Sequence, residues 1–321
     1  MTNERILSTA PLDRLPIQIL EQVAPVEISP ATDEGTLLER LDRTIAIVAR
    51  GVEASITARI IESAPLLRVI GRPGAGYDTV DIATATLRRI PVIYAPVSGF
   101  AVAEGTLALL LAMVKKIPFC DTIVRQGQWQ RRYEFSTGDM AEHTLGIIGL
   151  GKIGAGLARL AQPFEMTILG CDPLVTIERG RELGVTLVDL NELLQRSDYI
   201  SIHVPLNRDT QGLINRERIA RMKRGAFLVN TSRGGVVESL DALAEGLESG
   251  QLGAVALDVF PAEPPDTSHR LFQDPRLVCS PHMVGVSNLA MERIYRSMAT
   301  DMVAVLRGQP PRFCLNPEIL P

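Results

Sequence analysis

Aromatic residues make up only 4% of this 321-residue chain, and there are one tryptophan and four cysteines. Cys120, Cys171, Cys279 and Cys314 stand far apart, with no C-x-x-C pair among them. That spacing supports neither a disulfide framework nor a zinc motif, so no metal is expected and the thiols should be reduced. An excess of cations is also missing. A formal net charge of −4 and a pI near 5.7 leave no basic footprint for nucleic acid. The longest apolar run, Gly105 to Val114, is too short to cross a bilayer. Glu4, Arg5, Asp13 and Arg14 break up the apolar start a signal peptide would need. The expectation is a cytoplasmic α/β protein, long enough for two domains, with neither membrane nor nucleic acid as partner.

What is present centres on Thr144 to Pro173, TLGIIGLGKIGAGLARLAQPFEMTILGCDP. Leu145 to Ile148 is too short for a helix and rich in β-branched residues, so it reads as a strand. Gly149, Gly151 and Gly154 follow in G-x-G-x-x-G spacing, then helix formers from Ile153 to Gln162. A second strand, Met166 to Cys171, ends at Asp172. Gly149 suits the tight turn, Gly151 the close approach of a pyrophosphate, and Gly154 the packing of helix on sheet. The free N–H groups at the helix start favour an anion. Asp172 is placed to accept both hydroxyls of an adenine ribose, and an acid there selects NAD over NADP.

The same strand–helix rhythm runs on both sides of this unit. Before it, Ile45–Val48, Arg68–Ile70 and Val92–Tyr94 read as buried strands, with helices at Ser55–Ser63 and Val80–Arg89. Ser98 to Ile117 reads as a long helix crossing between domains, and Pro118 to Glu142 as a covering loop or a subunit interface. Beyond Asp172, helices at Ile177–Leu183, Leu190–Arg196, Arg216–Met222 and Ser239–Ser249 alternate with strands. Those strands are Val185–Val188, Tyr199–Val204, Ala226–Asn230, Ala254–Leu257 and Leu277–Cys279. A last helix, Leu289 to Leu306, returns to the first domain. Parallel sheets with right-handed crossovers follow from this pattern.

Arg233, Asp258 and His282 each stand just past the carboxyl end of a strand, where an open parallel sheet binds its ligands. Singly, each reads as a cap or an ion pair; together beside a nicotinamide they read as a site. Reduction of a 2-oxo acid needs a cation for the carboxylate and carbonyl, which Arg233 supplies with a bidentate fork. It also needs an acid/base that titrates near neutrality, which His282 supplies. Glu263 is placed to hold the imidazole, and Asp258 falls on the nicotinamide side. A glycine-rich turn after the second strand, GRPGAGYDTV, offers Ala75 and Gly76 as main-chain donors to a substrate carboxylate.

GLGKIG with CDP, HVPLNRDT, VNTSRGG, ALDVFPAEPP and SPHMVG together resemble the motif series of the D-isomer-specific 2-hydroxyacid dehydrogenases. The likeness runs from about Ile45 to Gly285. It implies Arg233, Glu263 and His282 as the catalytic set and NAD as cofactor. Contacts to NAD are implied at Gly149, Gly151, Lys152, Ile153, Gly154, Asp172, Thr231, Asp258 and Gly285. Substrate contacts are implied at Ala75, Gly76 and Arg233. The implied fold is two doubly wound parallel-sheet domains, a Rossmann NAD-binding domain (residues 101–284) inserted into a flavodoxin-like substrate domain (1–100 and 285–321). It also implies a homodimer built through the cofactor domain. Thr79 and Ser287-Asn288 depart from the usual pattern. The run from Ile47 to Asp81 looks most like phosphoglycerate dehydrogenases and hydroxypyruvate or glyoxylate reductases. The competing reading is a NAD-sensing interaction protein, corepressor-like, on the same fold.

Overall fold

Short β-branched runs between capped helices become parallel strands throughout the computed structural model, which describes residues 4–51 and 54–320. Val52 and Glu53, inside the run that resembles the reductases, lie outside the described residues. The chain divides into two compact units, Met1–Ser98 with Ser287–Pro321, and Gly99–Val286.

The first unit opens with β1 (Arg5–Ser8), α1 (Arg14–Leu20), β2 (Val26–Ile28) and α2 (Glu34–Leu38). It continues through β3 (Thr44–Val48), α3 (Ala58–Glu62), β4 (Val69–Arg72), α4 (Ile82–Leu87) and β5 (Val92–Tyr94). Its sheet runs in the order β2-β1-β3-β4-β5, all parallel, which is the flavodoxin-like winding. The first four elements are too short to stand out as periodic runs. Helix α3 begins at Ala58, not Ser55, because Ile56 is drawn into a parallel bridge with Val80 and Thr57 caps the helix through Ile60 N. Asp81 caps α4 in the same way through Thr84 N, so that helix begins after Val80.

The second unit opens with α5 (Gly99–Val114) and α6 (Ile117–Arg125). The nucleotide-type core follows as β6 (Thr144–Ile148), α7 (Lys152–Ala161) and β7 (Thr167–Cys171). Next come α8 (Ile177–Glu182), β8 (Thr186–Leu187), α9 (Leu190–Arg196), β9 (Tyr199–Ile202), α10 (Arg216–Arg221) and β10 (Ala226–Asn230). The unit closes with α11 (Leu240–Glu248), β11 (Leu252–Leu257) and β12 (Leu277–Cys279). The sheet order β12-β11-β10-β9-β6-β7-β8 reverses direction at β6, the switch point of a Rossmann sheet. Helix α5 does not cross between the units. It belongs wholly to the second, where it packs on α7 so tightly that a Cβ on Gly156 would lie 3.0 Å from Ala103 Cβ. Helix α6 falls inside the segment read as a loop or an interface, its exposed apolar residues hiding the helical pattern.

The chain then returns to the first unit as α12 (Asn288–Leu306). Ser287, one of the departures from the family pattern, is its N-cap and accepts from Ala290 N. Buried residues of α12, among them Ile294, Met298 and Met302, join Ile6, Ala46 and Val69 in one core. The fit is close: a Cβ on Gly71 would lie 2.1 Å from Met302 Sδ. Arg68 secures the far end by donating to Leu306 O at 2.7 Å.

Candidate active site

The glycine turn connects β6 to α7. Gly149 takes a φ of +90°, a left-handed conformation that costs glycine little, and its N–H donates to Cys171 O. Gly154 sits where any Cβ would fall 2.0 Å from Gly149 O, so the helix closes against the turn only with glycine there. At Gly151 the reverse holds, with open space where a side chain would stand. Among the described residues no side chain caps the start of α7, so its first N–H groups face that space. Asp172, at the end of β7, accepts from Leu150 N at 2.8 Å through one oxygen and from Leu174 N at 2.9 Å through the other. Each oxygen keeps a lone pair for a further donor. An open cradle, an uncapped helix start and an oriented carboxylate fit a dinucleotide. Lys152 and Ile153 open the helix beside this cradle.

Strand β10, separated from β6 by β9, ends at Asn230, fully buried, and the loop carrying Arg233 folds around it. Asn230 Oδ1 accepts from Ser232 N and Ser232 Oγ, and its Nδ2 donates to Arg233 O at 2.9 Å. Arg233 Nη1 donates back to Ser232 O. Gly234 then packs on the main chain of Phe260, 2.0 Å from its carbonyl carbon had it a Cβ. Thr231 is 7% exposed, and its hydroxyl lies 2.9 Å from that of Thr106 on α5.

Strands β11 and β12 supply the remaining groups. Glu263 is held by Phe260 N, which donates to Oε1 at 3.0 Å, and its Oε2 lies 2.8 Å from His282 Nδ1. A carboxylate only accepts, so Nδ1 carries a proton and Nε2 is left to face outward chemistry. The His282 side chain is 39% exposed and Glu263 22%. His282 adopts φ +57°, a left-handed conformation uncommon for a residue with a Cβ. Asp258 stabilises that turn. Its main-chain oxygen accepts His282 N, and its carboxylate accepts Met283 N at 2.8 Å and Val284 N at 3.3 Å. Burial pushes the Asp258 carboxyl up, against the pull of its Ser280, Met283 and Val284 donors. Gly285 comes next, where a Cβ would meet Val102 at 2.7 Å.

The structure therefore brings Arg233, Asp258, Glu263 and His282 to one edge of one sheet. Ala75 and Gly76 lie on the loop after β4 of the first unit, behind Gly74 at φ +91°. Two further residues act as supports, Asn230 beneath the arginine loop and Thr106 beneath Thr231. An asparagine ending an apolar strand was the available signal for the first; nothing marks the second.

Residues 107–284 match the family model described as D-isomer specific 2-hydroxyacid dehydrogenase, NAD binding domain. The D-3-phosphoglycerate dehydrogenase of Methanocaldococcus jannaschii is 38% identical over 320 residues, covering 99% of this chain and 60% of that protein. The chain spans 56% of two further relatives of that name, so it corresponds to little more than half of such proteins. A glyoxylate reductase of Thermofilum pendens is 39% identical over 274 residues, 83% of this chain and 79% of its own length. The crystal structure of the TT0316 protein of Thermus thermophilus superposes with a TM-score of 0.89 at 32% identity, covering 97% and 99% of the two chains. The cradle at Gly149–Gly154 and the strand-end cluster thus sit inside a matched family domain, and the chain belongs to the D-isomer-specific 2-hydroxyacid dehydrogenases.

Proposed function

We propose that this chain is a NAD-dependent dehydrogenase of D-2-hydroxy acids, interconverting a small 2-oxo acid and its D-2-hydroxy acid. The observation that carries this reading is the Glu263–His282 hydrogen bond beside the Arg233 loop. A protein that only senses NAD has no use for an acid/base held by a carboxylate. The cofactor is held by the Gly149–Gly154 turn, Lys152 and Ile153, with Asp172 on the ribose and Thr231, Asp258 and Gly285 toward the nicotinamide. When bound, the nicotinamide supplies the hydride that adds to the carbonyl carbon.

The chain's own groups do the rest. Arg233 holds the substrate carboxylate and draws charge onto the carbonyl oxygen, while Ala75 and Gly76 add main-chain donors to the carboxylate. His282 Nε2 gives its proton to that oxygen as the alcohol forms. Glu263 keeps Nδ1 protonated and the ring oriented throughout, so only one nitrogen exchanges protons.

Substrates of the hydroxypyruvate and glyoxylate type fit better than phosphoglycerate. Two arginines stand near the carboxylate loop, and both are engaged within the first unit. Arg50 stacks on Tyr295, 5.7 Å from the ring centroid, and Arg72 Nη1 donates to Ala49 O and Pro73 O. A homodimer through the second unit is part of this reading. It is supported by exposed Trp129 and Tyr133, with Arg132 stacked on both rings at 5.0 and 4.6 Å. Four free cysteines accord with the cytoplasm.

One assay tests the proposal, NADH oxidation with hydroxypyruvate, glyoxylate, pyruvate and phosphohydroxypyruvate. Turnover on the first two is expected. No turnover on any of the four overturns the enzyme reading, and a clear preference for the phosphorylated acid overturns the substrate assignment.

A further inference from the structure

We propose that Thr106 is a positioning residue for the arginine loop, and that it fixes the Thr231 hydroxyl as an inward donor. The inference rests on the reading above, in which Thr231 and Arg233 serve cofactor and substrate. Thr106, fully buried on α5, lies 2.7 Å from Val102 O and 2.9 Å from the Thr231 hydroxyl. A carbonyl oxygen can only accept, so the single hydroxyl proton of Thr106 belongs to Val102. The contact between the two hydroxyls then has one possible direction: Thr231 donates and Thr106 accepts.

Two consequences follow from that direction. The Thr231 proton is spent inside the protein, so its hydroxyl meets the cofactor only as an acceptor, and any donation from residue 231 comes from its main-chain N–H. The loop from Asn230 to Gly234 is also held at two points, from within by Asn230 and from α5 by Thr106. The partners are not equivalent. Thr106 keeps a partner when Thr231 loses its hydroxyl, whereas Thr231 loses its acceptor when Thr106 does.

Four variants test this: Thr106→Val, Thr231→Val, the two combined, and Thr106→Ser. The readouts are KM and kcat for hydroxypyruvate, NADH affinity by fluorescence titration, and the thermal midpoint. Thr106→Val strands a buried O–H donor. It should raise KM about tenfold, equivalent to about 1.4 kcal/mol, with a smaller change in kcat. It should also lower the midpoint. Thr231→Val removes the same contact but strands no donor, so it should lower the thermal midpoint less than Thr106→Val does. Thr106→Ser restores the acceptor and should return KM to wild type. The double variant removes donor and acceptor together and should behave better than Thr106→Val alone. A Thr231→Val protein whose midpoint falls further than that of Thr106→Val would overturn the assigned direction. A Thr106→Val enzyme with a lowered midpoint and an unchanged KM would reduce Thr106 to packing. A wild-type protein that neither binds NADH nor turns over an oxo acid would sink the functional reading instead. In that case the order of the midpoints would still decide the hydrogen-bond direction.

Discussion

Glu263 Oε2 lies 2.8 Å from His282 Nδ1, while Glu263 Oε1 accepts from Phe260 N. The carboxylate is thus fixed at both ends, and the ring it holds can exchange a proton only through its other nitrogen. Loss of a positioned general acid typically costs on the order of 10²–10⁴-fold in rate. His282→Ala should lower kcat for oxo-acid reduction by that order and leave NADH binding nearly intact. Glu263→Gln keeps a hydrogen-bonding side chain but removes the charge, and its effect should be smaller. Steady-state kinetics alongside a fluorescence titration separates these outcomes; near-normal turnover by His282→Ala would return the residue to a structural role.

Asp172 has two tasks in this structure, and its replacement should reveal both. Asp172→Ala removes the repulsion that disfavours a 2′-phosphate, so the gap between NADH and NADPH should narrow. It also removes the acceptor for Leu150 N and Leu174 N, so NADH itself should bind less well. Measured kcat/KM for both cofactors checks this. A wild-type enzyme that uses NADPH as readily as NADH would remove the basis for the assignment.

Two glycines three positions apart, Gly151 and Gly154, should fail in opposite ways. Gly154→Ala places a Cβ against Gly149 O and should destabilise the folded unit by about 3 kcal/mol, as severe overpacking does. Gly151→Ala meets open space at a φ of −65° that alanine adopts freely. Its stability should stay within about 0.5 kcal/mol of wild type, while NADH affinity drops because the new methyl fills the cradle. Urea unfolding without cofactor, paired with NADH titration, distinguishes the two.

His203 predicts how stability responds to acid. Its ring is half-buried, Nε2 lying 2.8 Å from Ser201 Oγ and Nδ1 enclosed with no hydrogen-bond partner among the described residues, and burial pushes the imidazole down to about 3. The unfolded chain regains the ordinary value near 6.5. A lowered histidine contributes stability that is complete above pH 6.5 and is lost as pH falls toward 3. Between pH 7 and 4.5 the loss should be about 2–3 kcal/mol. His203→Gln should flatten that part of the profile, as read from urea midpoints at the two pH values. An unchanged acid slope in the variant would show that the ring is charged or solvated in the folded state.

Sequence pattern located β10 and β12 to the residue because each is an apolar run that stops at the polar ligand edge. The expected strand Tyr199–Val204, by contrast, overran β9, which ends at Ile202. The runs Leu190–Arg196, Ala226–Asn230 and Leu277–Cys279 coincide with α9, β10 and β12. Arg233 and His282 were legible for the same reason, each following such an edge. Short elements near the start were not, since β1, β2 and α2 span three to five residues and show no period. Ile56 left its helical run for a tertiary reason, its bridge to Val80. The left-handed backbone of His282 and the threonine pair depend on contacts distant in sequence. Residue spacing carries no trace of them.

The discontinuity of the first unit has a bearing on biosynthesis. Strands β1, β3 and β4 leave the ribosome early, yet one face of their sheet is covered by α12, including the Met302 sulfur lodged against Gly71. The second unit is continuous from Gly99 to Val286, and all its strands exist before α12 is made. Nascent chains commonly fold their N-terminal domain first. Here the inserted unit is complete in sequence before α12, so the earlier-made sheet still lacks part of its apolar cover at that stage. A chaperone or an unfinished neighbour would find its target there, on β1, β3 and β4, for as long as translation of the last helix is delayed.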